Sequence, residues 1–471
     1  MDRQPQVTMR PISSRGGNPH LSPLLDRCDD YIVGRLIEAP DANVVNRVYA
    51  LVLGLDESEV NDALQKALED FGERHHQLRC LWRKHATQIA RLLPEISALD
   101  EQRRDLVGAY FTMEYSLASA GLFNPSIVLH PDQLESGPTA RRRILLSLRA
   151  VGEGHVSSIL FREGWVEADG TLALDAVDPP WTPYSLVDNS LGTECGLKHE
   201  AAASFDDFGR LVEVEQAEAA PPLQYEVAIP SEVPLSQCVL LPVQLSEKNG
   251  MEDLRLTEFS DGDKSVYYGT YTAYNGRKCW PQMIETKDFR QVAVKRLRGR
   301  FSRDKGMALF PRRINGRYAM ISRHDGHQTY LLWSDSVDTW DECEPIERPS
   351  MPWEFLKSGN CGSPLETEHG WLLLTHGVGL MRRYCIGAML LDLDQPSRVL
   401  RYTAQPILLP PASHINGYVP NVMYTCGMLL HRGRVTIPVG ISDTCIAATT
   451  FDLDELLETM RPYTVAGEAR T

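Results

Sequence analysis

A recurring unit in the second half of the chain constrains its fold more than any other feature of the sequence. In each copy, a turn that contains Gly leads into a short strand rich in Tyr, Trp or β-branched residues. The copies begin at Gly316, Gly370 and Gly433, about 50 to 60 residues apart. Weak repeats of this size are typical of the blades of a β-propeller. A β-sandwich with similar strand spacing is the alternative fold.

The dipeptide Asn315-Gly316 predicts a tight hairpin. Apolar and β-branched residues flank it on both sides, over 309–314 and 317–321. Asn-Gly between two such runs favours a two-residue turn, because both residues accept positive φ angles. Further strands are predicted over 144–148, 265–271, 371–375 and 435–439.

The chain before residue 120 has the periodicity of helices instead. Asp56 followed by Glu59 has the spacing of a capping box at a helix start. Apolar residues then recur three and four positions apart from Val60 to Phe71, as on one helix face.

We therefore divide the chain into three parts. Further helices are predicted over roughly 77–95, 99–120 and 452–460, and an irregular insertion over 200–222. The three parts are an N-terminal arm over 1–25, a helical segment over 26–120 and a β-rich domain over 121–471.

Charge and composition exclude several classes of function. The formal net charge is -15, which argues against a broad nucleic-acid or anionic-membrane surface, since both are bound by clustered Lys and Arg. The sequence has no secretory signal and no apolar run long enough for a transmembrane helix, so we expect a cytoplasmic protein. The ten cysteines form no Cys-x-x-Cys pair, and no nucleotide-binding loop or metal-ligand cluster is evident. We therefore expect no metal and no organic cofactor.

Several segments, taken in order along about 330 residues, resemble glycoside hydrolase family 130, the mannoside phosphorylases and related mannosidases. The segments that carry the resemblance are Phe123-Asn124-Pro125, Leu148-Arg149, Glu252-Asp253-Leu254-Arg255, 308–316, 370–378, 387–394, 419–422 and Ser442-Asp443-Thr444. The resemblance implies an all-β fold, a five-bladed β-propeller with its active site at the central cavity. The N-terminal α-helical segment lies outside the shared core.

The resemblance also implies the identity of the general acid. The family carries its acid in a Glu-Asp-Pro-Arg motif, which Glu252-Asp253-Leu254-Arg255 matches with Leu in place of Pro. Asp253 is then the catalytic acid that protonates the departing glycosidic oxygen, in this family by way of a mannose hydroxyl. From the residues alone, a pair of turn carboxylates bound to Arg255 is the alternative.

The nucleophile divides two reactions. An inverting hydrolase needs a second carboxylate to activate water, whereas an inverting phosphorylase needs cationic groups that bind phosphate. The resemblance implies phosphate binding by Lys305, Arg323 and His376, which occupy matching positions in the family's segments. Read singly, the Lys and the Arg fit surface charges, and the His fits a hydrogen-bonded core residue.

The sugar pocket is also implied by the resemblance. Asn124, Arg149 and Asp443 match positions that contact the mannose whose anomeric carbon is attacked. Arg255, in the acid's motif, and His155, near the same rim, complete the predicted sugar-binding set.

The resulting hypothesis is inverting phosphorolysis of a β-mannoside, giving mannose 1-phosphate and a shortened acceptor sugar. The alternatives are a β-mannosidase that uses water and a non-catalytic carbohydrate-binding or interaction propeller. The expected partners are a β-mannoside oligosaccharide and inorganic phosphate as co-substrate. The helical segment is a candidate contact for a homo-oligomer. The sequence leaves the β-1,2, β-1,3 or β-1,4 linkage open.

Overall fold

The computed structural model describes most of the chain in nine stretches. These are residues 21–27, 31–37, 41–75, 77–133, 141–177, 180–187, 224–262, 264–412 and 416–463. Most of the predicted arm and the predicted insertion over 200–222 lie outside the described residues.

The N-terminal part combines four helices with three strands. In chain order they are β1 Ser22–Asp26, β2 Ile32–Leu36, α1 Ala42–Leu53, α2 Glu57–Phe71, α3 Leu78–Ile89, α4 Glu101–Tyr110 and β3 Thr112–Ser116. The predicted capping box is confirmed, because Asp56 and Glu59 each accept a hydrogen bond from the other's backbone N–H at 2.9 Å. The helices surround an apolar core of their own, centred on Val60, Leu64 and Trp82.

The helix predicted over 99–120 is wrong in its second half. The helix ends at Tyr110, and β3 pairs with β2 in an antiparallel ribbon. The pairing buries Tyr115 with Val33 in an apolar cluster. Burial against a distant strand outweighs local helix propensity here, as tertiary contacts commonly do.

Gly108 allows the backbones of α3 and α4 to touch. A Cβ atom at this position would lie 1.9 Å from the carbonyl oxygen of Trp82. We expect Gly108→Ala to lower the free energy of unfolding by about 2 kcal/mol, because overpacking outweighs the better helix propensity of Ala. Chemical denaturation measures the change. Gly72→Ala is the matched control, since its Cβ meets nothing within 4 Å; equal stability of the two variants would contradict the close contact.

The first half of the β-rich part contains twelve strands. They are β4 Gly121–Leu129, β5 Arg142–Val151, β6 Ser157–Val166, β7 Leu172–Leu174, β8 Thr182–Pro183, β9 Ser185–Leu186, β10 Gln224–Ala228, β11 Cys238–Leu240, β12 Gly250–Asp261, β13 Lys264–Tyr274, β14 Cys279–Thr286 and β15 Gln291–Arg296. All twelve belong to one sheet, in which a single parallel bridge joins β6 to β12.

The second half contains fourteen strands and a terminal helix. They are β16 Ala308–Leu309, β17 Tyr318–Ser322, β18 Tyr330–Ser334, β19 Glu342–Pro345, β20 Lys357–Asn360, β21 Leu365–Thr367, β22 Gly370–Val378, β23 Tyr384–Leu391, β24 Val399–Tyr402, β25 Met423–Tyr424, β26 Leu429–His431, β27 Arg434–Ile441, β28 Cys445–Asp452, α5 Leu453–Glu458 and β29 Arg461–Pro462. The all-β character predicted for this part is confirmed, and so is the short terminal helix.

The predicted hairpin at Asn315-Gly316 is confirmed. Ile314 and Arg317 exchange backbone hydrogen bonds of 2.9 and 3.0 Å across it. Asn315 and Gly316 have φ angles of 51° and 80°, the left-handed values that this turn requires.

The N-terminal strand belongs to the C-terminal sheet. β1 pairs antiparallel with β28, from Ser22 opposite Ala448 to Asp26 opposite Cys445. The predicted boundary between arm and helical segment therefore falls inside a strand. None of the five helices in the described ranges combines the length and apolar content needed to cross a membrane.

Candidate active site

Two β-bulges present the central polar pair. The ladder between β4 and β5 skips Asn124, and that between β12 and β13 skips Asp253. Both residues have left-handed backbone angles, with φ 51° and 58°. A bulge re-aims a side chain out of the regular alternation, and here the Asn124 amide donates to Asp253 Oδ1. Leu254, which replaces the family's Pro, is buried in the core, so the bulge forms without a proline.

Arg149 is a cation that donates hydrogen bonds to both Asp253 and Glu252. Its Nη1 donates to Asp253 Oδ1 at 2.9 Å, and its Nη2 donates to Glu252 Oε1 at 2.7 Å. Its Nε donates to Ser157 Oγ at 2.8 Å. The other oxygen of Glu252 accepts from Lys305 Nζ. The guanidinium therefore bridges neighbouring carboxylates with a planar fork that Lys lacks.

Arg255 is a buried cation that contacts the backbone of Asp253. It is 2% exposed, and its Nη1 donates to the Asp253 carbonyl at 2.9 Å. Its Nη2 donates to the hydroxyl of Tyr424 at 3.1 Å, and that hydroxyl lies 3.4 Å from the Asn360 carbonyl. The predicted sugar-binding role of Arg255 stays a prediction, because its contacts here are to the protein.

The charges around Asp253 hold it ionised in the free site. Burial alone raises the pKa of its carboxyl. The positive charges of Arg149, Arg255 and Lys305 outweigh burial and lower the pKa of Asp253 to about 2. A carboxyl must be protonated to act as a general acid, so Asp253 could take this predicted role only after a change in the local charge.

Arg323 and His376 form a second, buried pair. Arg323 follows β17, His376 lies in β22, and Arg323 Nη1 donates to His376 Nε2 at 3.1 Å. Burial lowers the pKa of His376 well below its usual range, and the charge of Arg323 lowers it further. His376 Nδ1 then donates to the Asn360 carbonyl at 3.3 Å. His376 is thus a neutral group that orients Arg323, and its predicted contact with phosphate stays a prediction.

Gly359 makes room for this pair. A Cβ atom there would lie 2.8 Å from His376 Cε1 and 3.0 Å from Arg323 Nη1. Arg323 is 5% exposed, and its Nε has no hydrogen-bond partner among the described residues. A buried cationic donor without a partner is costly, and an anionic ligand would satisfy it.

Lys357 is the site residue that the sequence analysis missed. It begins β20, whose Gly359 lies opposite His376 in the ladder. Burial lowers the pKa of Lys357, and the nearby charges of Arg323 and Lys305 lower it further. It therefore joins the two predicted phosphate-binding cations into one cluster. The available signal was a lone charge in the otherwise uncharged run 355–365.

Asp443 lies close enough to Arg149 and Asp253 for their charges to act on its carboxyl. It follows β27 in a left-handed turn with φ 51°. Burial raises the pKa of Asp443 to about 7, against the opposing charge of Arg149 and with the support of Asp253. A carboxyl of this kind exchanges a proton near neutral pH. The structure thus brings Asn124, Arg149 and Asp443 around Asp253, and their contact with sugar stays a prediction.

His155 lies at the outer rim instead. It is exposed, and its Nδ1 lies 2.8 Å from the hydroxyl of Tyr418. The two rings stack at 5.6 Å, and Tyr418 in turn stacks on Phe123 at 6.3 Å. His155 is thus connected through stacked rings to Phe123, the residue before Asn124, and its contact with sugar stays a prediction.

The described residues contain no group of three or more His, Cys, Asp or Glu side chains arranged to hold a metal ion.

Comparisons with known proteins find sequences similar to this chain among mannoside phosphorylases. A family profile described as β-1,4-mannooligosaccharide phosphorylase matches residues 233–462. The 1,2-β-oligomannan phosphorylase of a Thermoanaerobacter species is 30% identical over 214 residues, which cover 45% of this chain and 71% of that protein. A β-1,2-mannobiose phosphorylase from the same organism is 34% identical over 212 residues, with 44% and 68% covered. The solved Listeria innocua β-1,2-mannobiose phosphorylase, in complex with β-1,2-mannobiose, is 22% identical with a TM-score of 0.46, covering 73% of this chain and 92% of its own.

Proposed function

The chain belongs to glycoside hydrolase family 130, and on that premise we propose that it catalyses inverting phosphorolysis of a β-mannoside. The products are α-mannose 1-phosphate and an acceptor shortened by one mannose. The relatives named above act on β-1,2 linkages by name, and the family profile is described by a β-1,4 activity. Both linkages are therefore candidate substrates.

The architecture that we propose for the β-rich part is a five-bladed propeller. Five groups of antiparallel strands, taken in chain order, support it: β4–β7, β12–β15, β16–β19, β20–β24 and β25–β28. The pairing of β1 with β28 brings the two ends of the chain into the last group. Radial repetition of such groups is the propeller arrangement. The predicted domain boundaries stay predictions, and so does a homo-oligomer that forms through the helical segment.

The observation that carries the proposed function is the cation cluster beside the acid. Charge interactions link Lys357 to both Arg323 and Lys305, and Lys305 donates to Glu252, the residue before Asp253. Cationic side chains in a partly dry pocket are the groups that bind a phosphate dianion. Arg323 contributes a fork held by its neutral histidine, and the two lysines contribute point charges.

In the proposed reaction, a phosphate oxygen attacks the anomeric carbon while Asp253 supplies the proton that the leaving oxygen takes. The C1–O bond to the acceptor breaks, and a C1–O–P linkage forms on the opposite face of the ring. Bound phosphate offsets the positive charge of Lys305 and raises the pKa of Asp253 from its low free value, so the acid is protonated when both substrates are present. Asn124 and Arg149 fix the orientation of its carboxyl.

Hydrolysis is the second candidate, and Asp443 is the observation that favours it. A buried carboxyl with a pKa of about 7 is suited to deprotonate water. Such an enzyme would not need the cations around Lys357.

Phosphate dependence distinguishes the two reactions. We expect β-1,2- or β-1,4-mannobiose to be cleaved only when inorganic phosphate is present, with α-mannose 1-phosphate detected by phosphorus NMR. The rate should saturate with phosphate, since the anion is a bound substrate. A phosphate-free sample and a sulfate sample serve as controls. Release of free mannose at the same rate without phosphate would overturn the proposal in favour of hydrolysis.

A further inference from the structure

Glu252 contacts both Arg149, in the proposed sugar pocket, and Lys305, in the proposed phosphate-binding cluster. Glu252 is 5% exposed, and its two carboxylate oxygens accept hydrogen bonds from different cations. Oε1 accepts from Arg149 Nη2 at 2.7 Å, and Oε2 accepts from Lys305 Nζ. Because the proposed reaction assigns protonation to Asp253 and phosphate binding to Lys305, Glu252 has no chemical step of its own.

The two cations depend on Glu252 to different degrees. Arg149 is also held by Asp253 and by Ser157. Lys305 has a long flexible stem, and its ammonium lies 5.4 Å from the centre of the Tyr274 ring. Among the described residues, Glu252 supplies the hydrogen-bonding carboxylate of this lysine. A partly buried ammonium needs such a partner.

We infer that Glu252 is a positioning residue that holds Lys305 toward the phosphate side and away from Asp253, so that Asp253 can keep its proton in the reacting complex. The inference rests on the proposed phosphorolysis. The carboxylates of Glu252 and Asp253 come from adjacent residues of β12, and Lys305 interacts with both. Without the carboxylate of Glu252, this lysine is still attracted by the carboxylate of Asp253.

The groups around Asp253 determine whether loss of the Glu252 charge raises or lowers the pKa of Asp253. The charged and titratable groups that face it come from several elements: Arg149 in β5, Arg255 in β12, Cys279 in β14, Lys305 before β16, Lys357 in β20, Tyr424 in β25, Cys426 after β25 and Asp443 after β27. Loss of the Glu252 charge removes an anion and frees a cation. Both changes favour the ionised form of Asp253 and lower its pKa in the complex.

The test is Glu252→Gln, assayed at saturating phosphate across pH. The activity of a general acid disappears as pH rises through its pKa in the complex. We expect the alkaline limb of kcat, the pH range in which kcat declines as pH rises, to lie about one pH unit lower in the variant. We also expect kcat at pH 7 to fall roughly tenfold. The KM for phosphate should rise as well, because Lys305 is no longer held toward the anion. Glu258→Gln, on the same strand and hydrogen-bonded to Ser265 at 2.7 Å, is the matched control and should change none of these three quantities.

A structural role for Glu252 would give another result. In that case kcat would fall while the alkaline limb stayed in place, and the inference would be overturned whatever the KM for phosphate. If Glu252→Gln does not fold, Glu252→Asp tests the same point, because it retains the charge. It should lower kcat with the limb within about 0.3 pH units of wild type, and a shift of a full unit would contradict the inference.

The wild-type enzyme separates this inference from the proposed function. A wild type that needs no phosphate refutes phosphorolysis. A phosphate-dependent wild type, together with a Glu252→Gln variant whose alkaline limb is unmoved, refutes only the role of Glu252.

Discussion

Replacing Asp253 with Asn is expected to lower kcat about 1,000-fold while the protein keeps its fold, because general acid catalysis contributes 10²- to 10⁴-fold. The amide has the shape of the carboxyl. Its oxygen can still accept from Asn124 and Arg149, which hold the present carboxyl. It has no proton of suitable acidity for the leaving oxygen. Phosphorolysis of mannobiose, measured as mannose 1-phosphate formed, gives the comparison.

The matched control is Asp261→Asn at the exposed end of the same strand, which should retain wild-type activity. A β-mannoside with an acidic leaving group should lose far less activity in Asp253→Asn, because such a group departs without a proton. An unchanged rate on mannobiose would exclude Asp253 as the acid. If wild type and variant bound mannobiose equally and neither cleaved it, the non-catalytic propeller would be the correct interpretation.

Replacing Arg323 with Met is expected to raise the KM for phosphate about 100-fold, roughly 3 kcal/mol, with a smaller effect on kcat. The side chain is buried, its Nη1 bonds to neutral His376, and its Nε is left for a ligand. A bidentate guanidinium contact to phosphate is among the strongest hydrogen-bonded pairs in proteins. Initial rates over a phosphate series at saturating mannobiose measure the effect.

Arg317→Met is the control for that prediction. Arg317 lies just before β17 and pairs with the exposed Glu342, whereas Arg323 lies just after the same strand. Its loss should leave the phosphate KM unchanged. If Arg323→Met bound phosphate as wild type does, the anion would lie elsewhere in the cation cluster, and Lys357 would be the next residue to replace.

Local sequence rules predicted the elements that local physics determines. The capping box of α2, the Asn315-Gly316 turn and the central strands depend on residues a few positions apart, and all three are confirmed. The segment 112–116 shows the limit of those rules. It forms a strand because β2, about 80 residues earlier in the sequence, supplies its partner, and no local pattern reports that pairing.

The sequence by itself determined the chemistry available to this protein: a carboxylic acid, a set of cations, and strands in a recurring order that carry them. Tertiary structure alone decided how these groups act on one another. Bulges in two strands bring Asn124 to Asp253, and β20 brings Lys357 beside Arg323. The physical reason is that pKa values and ion pairs depend on distance and burial, which sequence order does not specify for residues separated by tens of positions or more.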